Sequence, residues 1–435
     1  MQPLGARTMV QRAIDPAAWL LASRWLLVAL AVAIPISTAL TNVCFALMFA
    51  CWLASADFAD KVRRIRANPA AAASVVCFVL VGAACLYSAA APQAAVTHWV
   101  GYRKWLLIPI GVTLAWERSW QQRVLAAFVA SAAAVLVVSF AIAATRVPFL
   151  GQAALTRRAS FESQGIYGVV ADNPTVQSLV FLAAALICVH VVAAGWRDAA
   201  RRRRHLGLIA LSAAFILNVL YLSGGRTGFV LCLAMLPVLA WQVLPRRTAL
   251  LAAGVLACAV PLVWLSSPHL RIRTAAVMQD VQRYQSTGHA DLANSVGLRL
   301  TFYRNGLHLL RARPWFGYGT GGIEPAYAAL LAGQPGAGDV VTANLHNEYL
   351  NMAVQFGLVG LAAFLGWLAS QWLAARRVAP PWRPVAQLLI VAFAIGSLAN
   401  SHFTSSHEGH LYCLLMGVLL ARAETQRTAD EGGAA

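Results

Sequence analysis

His346 opens the run His346-Asn347-Glu348-Tyr349-Leu350, where a long polar segment gives way to a strongly apolar one. An imidazole titrates near neutrality, and its neutral form is suited to taking a proton from a hydroxyl. If a helix begins here, His346, Tyr349 and Leu350 share a face and Asn347 stacks over Asn351. Glu348 then points elsewhere and is the weaker candidate base. The plainer alternative is an interfacial histidine that caps a helix and bonds water.

Cationic groups gather before this run. The segment from Ser267 to Leu345 carries Arg271, Arg273, Arg283, Arg299, Arg304, Arg311 and Arg313, and no lysine. Leu300, Tyr303, Leu307 and Leu310 recur at helical spacing, so 297–312 is predicted to be an amphipathic helix. Arg299 lies nearer its apolar side, while Arg304, His308 and Arg311 form a stripe that could equally be solvated. Pro314 stops the helix, and Gly317-Tyr318-Gly319-Thr320-Gly321-Gly322 follows as a turn. Arg226 sits in Ser223-Gly224-Gly225-Arg226-Thr227-Gly228, where two glycines let the backbone approach a ligand closely; its alternative is to snorkel to lipid phosphates. Arg103 and Lys104 interrupt the apolar stretch Trp99–Leu107, a costly depth for charge unless it lines a polar cavity.

The acids are as informative. Those expected to face outward, Glu162, Asp172, Asp280, Asp291, Glu324, Asp339, Glu348 and Glu408, are scattered, with no Asp-x-Asp and no paired carboxylates. A divalent metal on a pyrophosphate wants clustered oxygen ligands; guanidinium forks neutralise the same anion without one. No metal or other cofactor is therefore expected. His402, His407 and His410 cluster in the last outer loop, but no cluster of cysteines or carboxylates accompanies them as a transition-metal site would want.

The elements that must hold these residues are membrane helices. The chain has 435 residues, 60% hydrophobic and 11% charged, against roughly 25% charged in soluble domains. Apolar runs long enough to cross a ~30 Å hydrocarbon layer recur throughout. Twelve spans are predicted, at about 25–40, 41–57, 70–90, 99–116, 123–145, 175–196, 205–222, 227–244, 248–266, 352–374, 384–402 and 409–423. The fold class is an all-α polytopic membrane protein in three parts: nine spans over 1–266, a large, partly helical loop over 267–345, and three spans with a tail over 346–435. A second loop, about 146–174, is shorter. Met1–Ala18 lacks the apolar core and small-residue cleavage site of a removed leader. Cys44, Cys51, Cys77, Cys85, Cys188, Cys232, Cys258 and Cys413 all fall in apolar runs without metal or disulfide spacing and are read as packing residues.

The net charge of +18 resembles a nucleic-acid signal until it is mapped. Of 34 basic residues, 21 lie in short loops or termini on one side: Arg7, Arg12 and Arg24; Lys61, Arg63, Arg64 and Arg66; Arg118 and Arg123; Arg197 and Arg201 to Arg204; Arg246 and Arg247; Arg376, Arg377 and Arg383; Arg422 and Arg427. Such charge marks the cytoplasmic face, so both termini are expected inside and no nucleic-acid partner is expected. The other thirteen, which include Arg146, Arg157 and Arg158 besides those named above, lie on the disfavoured side and call for an anionic ligand at the outer leaflet. A lipid-linked oligosaccharide flippase or other secondary transporter would instead spread cations along a cavity reaching both faces, and no internal repeat of the transporter kind is visible.

Ser223–Gly228, the run Gly297-Leu298-Arg299-Leu300 leading to Arg311-Ala312-Arg313-Pro314-Trp315-Phe316-Gly317-Tyr318-Gly319, and above all His346–Leu350 resemble the O-antigen ligase family; Tyr102-Arg103-Lys104 is a less distinctive match. Related O-antigen polymerases and protein O-oligosaccharyltransferases share the pattern. The resemblance implies a metal-independent, membrane-embedded glycosyltransferase of the GT-C type in the bacterial inner membrane, with a periplasmic site. Its donor would be an undecaprenyl-pyrophosphate-linked O-antigen and its acceptor a sugar hydroxyl of lipid A–core. On this reading His346, Arg226 and Arg299 are catalytic, and Arg103, Lys104, Arg304, Asn347 and Tyr349 bind substrate.

Overall fold

A computed structural model of the protein describes residues 15–145, 168–170, 173–223, 226–266, 268–287, 295–332 and 340–421. Arg7, Arg12, Arg146, Arg157, Arg158, Glu162, Asp172, Gly224, Gly225, Asp291, Asp339, Arg422 and Arg427 lie outside the described residues, as does the 146–174 loop apart from 168–170 and 173–174. The side chains of Arg226, Arg273 and Arg283 lie outside them too.

The described residues are overwhelmingly helical and contain no strand. By length and composition seven helices can cross a membrane, eight if one bent pair counts as a span, and Thr227–Val243 and Trp382–Gly396 are shorter apolar helices. The expected twelve spans thus map onto helices, but not all reach spanning length.

Four boundaries differ from the prediction. Helix α1, Pro16–Ala33, starts well before the expected residue 25, because Asp15 accepts a hydrogen bond from the Ala17 N–H (3.0 Å) and Pro16 takes the first turn. α2, Thr38–Ala54, is followed after a 115° bend by the basic helix α3, Phe58–Ala67. The fourth span is broken into α5, Pro92–Gly101, a 3₁₀ segment Tyr102–Leu106, and α6, Leu107–Leu114; α4 is Pro69–Ala83. The eleventh, α16 (Trp382–Gly396), stops at Gly396 rather than 402, freeing the loop Ser397–Ser405 before α17, Ser406–Leu419.

The remaining membrane helices are α7 (Arg118–Thr145), α8 (Pro174–Gly195), α9 (Arg202–Asn218), α10 (Arg226–Val243), α11 (Arg246–Ser266) and α15 (Glu348–Arg376). Their common core is aromatic in its centre, where Trp367, Phe364, Phe403, Phe393 and Tyr412 meet edge to face and tilted.

The long hydrophilic segment is more structured than expected. It holds α12 (Pro268–Thr287), the predicted amphipathic helix α13 at Ser295–Ala312, and α14 (Ile323–Ala332). The face of α13 differs from the reading: Leu300 and Leu307 are 36% and 47% exposed, while Phe302 and Leu309 are buried with Tyr327, Leu345 and Leu350. Apolar spacing located the helix, but other residues on it, Thr301, Phe302, Asn305 and Gly306, make the packed side.

The glycine turn after α13 is built into α15. Gly357 takes φ +68° inside that helix, breaking it where the Trp315 and Phe316 backbone passes; a Cβ there would overlap Trp315. Across the break the Leu358 N–H donates to Pro314 O (2.7 Å), and the Tyr318 and Gly319 N–H groups donate to the carbonyls of Val354 (3.1 Å) and Gln355 (2.7 Å). Gln355 also accepts from the Gly321 N–H (3.0 Å). The loop is therefore stitched to a membrane helix by main-chain bonds.

Candidate active site

His346 precedes α15 in a left-handed conformation, φ +55°, uncommon for a residue with a side chain. Its neighbours impose that shape. Asn344 Oδ1 accepts from the His346 N–H (2.9 Å) and from Asn351 Nδ2 (3.1 Å), and lies 2.6 Å from Ser401 Oγ. Asn351, itself buried, accepts from the Leu345 N–H (2.9 Å) and donates to Ser401 Oγ (2.7 Å). The Tyr303 hydroxyl lies 3.2 Å from the His346 carbonyl and 3.3 Å from that of Leu398. The half-buried imidazole stacks on Phe302 of α13, centroids 6.1 Å apart. Neither ring nitrogen has a hydrogen-bond partner among the described residues, so both are available to a ligand.

Arg299 lies one turn before Tyr303 on α13, half-buried and without a carboxylate partner among the described residues. Its charge reaches both Tyr303 and His346. Burial first, and the Arg299 guanidinium second, hold the imidazole below its ordinary pKa, with Glu408 pulling weakly the other way. The imidazole is thereby held toward its neutral form.

Arg226 begins α10. Ser223, the last described residue before it, is held in a buried polar cluster: Ser223 donates to Asn218 Oδ1 (2.6 Å), Gln177 Nε2 donates to Ser223 Oγ (3.2 Å), and Asn218 Nδ2 donates to Ser139 Oγ (2.8 Å). The next residue, Thr227, accepts from Asn400 Nδ2 (2.5 Å).

Asn400 belongs to the loop Ser397–Ser405, and this loop gathers the site. Besides Thr227 and Tyr303, it receives Asn347, whose Nδ2 donates to Leu398 O (3.0 Å) while its Oδ1 caps α15 at the Leu350 N–H (3.0 Å). Glu348, fully buried, accepts from the N–H groups of Phe403 (2.9 Å) and Thr404 (3.2 Å) and from the Thr404 hydroxyl (2.9 Å). Lys104 donates from beneath to the carbonyls of Thr404 (2.7 Å) and Ser405 (2.9 Å). The starts of α10 and α15 and the middle of α13, distant in sequence, thus meet on nine residues.

The other predicted ligands are placed as follows. Arg103 donates to Asn42 Oδ1 (2.6 Å) and Val100 O (3.0 Å), and Lys104 is buried on the loop carbonyls. Arg304 is exposed on the outer side of α13. Tyr349 donates to Ala394 O (2.8 Å), which ties α15 to α16. His402 faces Glu408 at 3.7 Å, and among the described residues no three His, Cys, Asp or Glu side chains are grouped to cage a metal. Sequence reasoning missed the gathering loop, running an apolar span through it; the polar break Ser397-Leu398-Ala399-Asn400-Ser401 was the available signal. Glu348, passed over as a base, turns out to hold that loop.

The fold and this junction define a polytopic helical membrane protein whose polar loop helix meets the bundle around one histidine. Residues 211–365 are similar to the family model described as O-antigen ligase, the same family that the motifs resemble. The match takes in Ser223–Gly228, Arg299 and His346–Leu350, and ends within α15. No curated protein matches the chain.

Proposed function

We propose that the protein is an O-antigen ligase, transferring O-antigen polysaccharide from undecaprenyl pyrophosphate to a sugar hydroxyl of lipid A–core at the periplasmic face of the inner membrane. The observation carrying this reading is the neighbourhood of His346 and Arg299, an imidazole and a guanidinium without partners among the described residues, beside the loop that also receives the start of the Arg226 helix. His346 takes the proton from the acceptor hydroxyl. The oxygen attacks the donor's anomeric carbon as the bond from that carbon to the pyrophosphate oxygen breaks, inverting the centre. The leaving electron pair stays on undecaprenyl pyrophosphate, whose growing charge falls on Arg299 and Arg226. Fixed positive charge placed where negative charge develops is usually the largest catalytic contribution.

Asn347, beside His346 on the same loop, would contact the substrates, whereas Arg304 on the outer side of α13, Tyr349 bonded to α16, and Arg103 with Lys104 behind the loop would act at most indirectly. Both termini lie in the cytoplasm and the 267–345 segment in the periplasm, as the distribution of basic residues supports. The test is to supply the purified chain, in nanodiscs, with labelled undecaprenyl-pyrophosphate glycan and lipid A–core. Label transferred to core supports the ligase. Chain lengthening without core labelling makes it a polymerase, and movement of label without any covalent product makes it a transporter.

A further inference from the structure

At the opposite end of the bundle a cleft of about 560 Å³ opens between α7, α8 and α9. Its inner wall is apolar, with larger side chains such as Leu125, Ile187 and Leu211 around a groove left by small ones: Ala126, Ala130 and Ala133 recur along one stripe of α7, and Ala194 lines it from α8. From Arg118 to Ala133 the stripe runs roughly 22 Å along the helix axis, longer than one leaflet's half of the ~30 Å hydrocarbon layer. Its mouth is cationic. Arg118 and Arg204 line it, both exposed and neither paired with a carboxylate among the described residues. Arg201 lines it too, with Asp198 as its partner at 2.9 Å.

Between mouth and wall lies His205. It is only 2% exposed, lines the cleft, and leaves Nδ1 without a hydrogen-bond partner. A buried polar nitrogen without a partner is costly, and a ligand bearing an oxygen acceptor or a hydroxyl would satisfy it. A free anion would leave the long apolar stripe uncovered; a neutral lipid would leave the two guanidinium groups unmatched. One molecule answers both.

We propose that this cleft binds an anionic phospholipid of the leaflet at the basic end of the bundle, which is the cytoplasmic leaflet in the proposed orientation. The phosphate lies among Arg118, Arg204 and His205, and an acyl chain runs along the alanine stripe. Basic pockets between membrane helices are suited to such head groups. The site is remote from His346, and its readout is lipid retention, so it stands or falls apart from the transfer reaction.

The test is native mass spectrometry of the full chain after exchange into a delipidating detergent containing equal amounts of phosphatidylglycerol and phosphatidylcholine with identical acyl chains. The expected result is one retained lipid, phosphatidylglycerol favoured roughly tenfold or more, the preference vanishing in Arg118→Gln/Arg204→Gln. Ala130→Phe, which fills the stripe, is expected to lose retention of both lipids. Should Ala130→Phe not fold, the arginine pair decides alone, because both side chains are exposed. Equal retention of the two lipids by the unaltered protein, or undiminished phosphatidylglycerol preference in the arginine variant, overturns the proposal.

Discussion

As the general base proposed above, His346 would act only when unprotonated, and burial and the charge of Arg299 hold it toward that form. Because its pKa is lowered, the neutral imidazole persists as the pH falls below the ordinary histidine value, and transfer should be lost only at more acidic pH. Removing the guanidinium lets the pKa rise. Arg299→Gln should therefore shift the acid limb of the pH–rate profile to higher pH, and lower the rate by roughly 10²–10³ at the optimum. Arg299→Lys should leave the limb in place; an unmoved limb in the Gln variant would remove Arg299 from the electrostatics of the base. His346→Ala is expected to lower transfer by about 10²–10⁴ while sparing donor binding. Equal loss of donor affinity would make the imidazole a binding group.

At the scale of elements, the Ser397–Ser405 loop is held by charge and by main-chain bonds, and each invites its own test. Glu348 satisfies three donors of the loop at once. Glu348→Gln turns one accepting oxygen into an amide N–H₂ facing donors, which should cost about 1–3 kcal/mol of stability. Transfer should fall with it, because the carbonyls that position Asn347 and Tyr303 move; thermal unfolding in detergent and the transfer assay read the two effects. Gly357→Ala forces a Cβ into the Trp315 backbone at positive φ, and should destabilise by about 1–3 kcal/mol. An unchanged melting temperature would show that the loop does not thread the break in α15. These devices were poorly legible in the sequence. The helix over 297–312, the turn at 317–322 and the start of α15 could be read locally, since caps, prolines, glycines and apolar period are local signals. That Glu348 serves a loop fifty-five residues away has no local signature.

For the whole molecule, the polar site and the arginine-rich cleft mark opposite ends. Thr227 and Asn400, and Tyr303 and Leu398, meet at one end. Asn68 donating to Leu420 O (3.0 Å), Gln121 to Val418 O (2.9 Å), and the ion pair of Arg24 with Glu117 (2.8 Å) close the other. If positive charge has set the orientation, a fluorescent protein fused after Ala435 should fold and fluoresce in the cytoplasm, and alkaline phosphatase inserted in the 267–345 segment should be active in the periplasm. The reverse pattern would place the histidine on the wrong side for a periplasmic donor.

What the sequence determined by itself was the class of protein, the helical identity of each apolar run and the existence of one structured polar insertion. Composition and periodicity are summed over many residues, so they survive local error, and the motif around His346 is contiguous. What only the tertiary structure decided was convergence: that the start of α10, the middle of α13 and the cap of α15 share one loop, that α13 packs through Phe302 and Leu309 rather than Leu300 and Leu307, and that Lys104 spends its charge on loop carbonyls. Those outcomes depend on which helices meet in space. Helix pairing in a bundle is settled by side-chain fit and by buried polar partners, neither of which is encoded within a single stretch of chain.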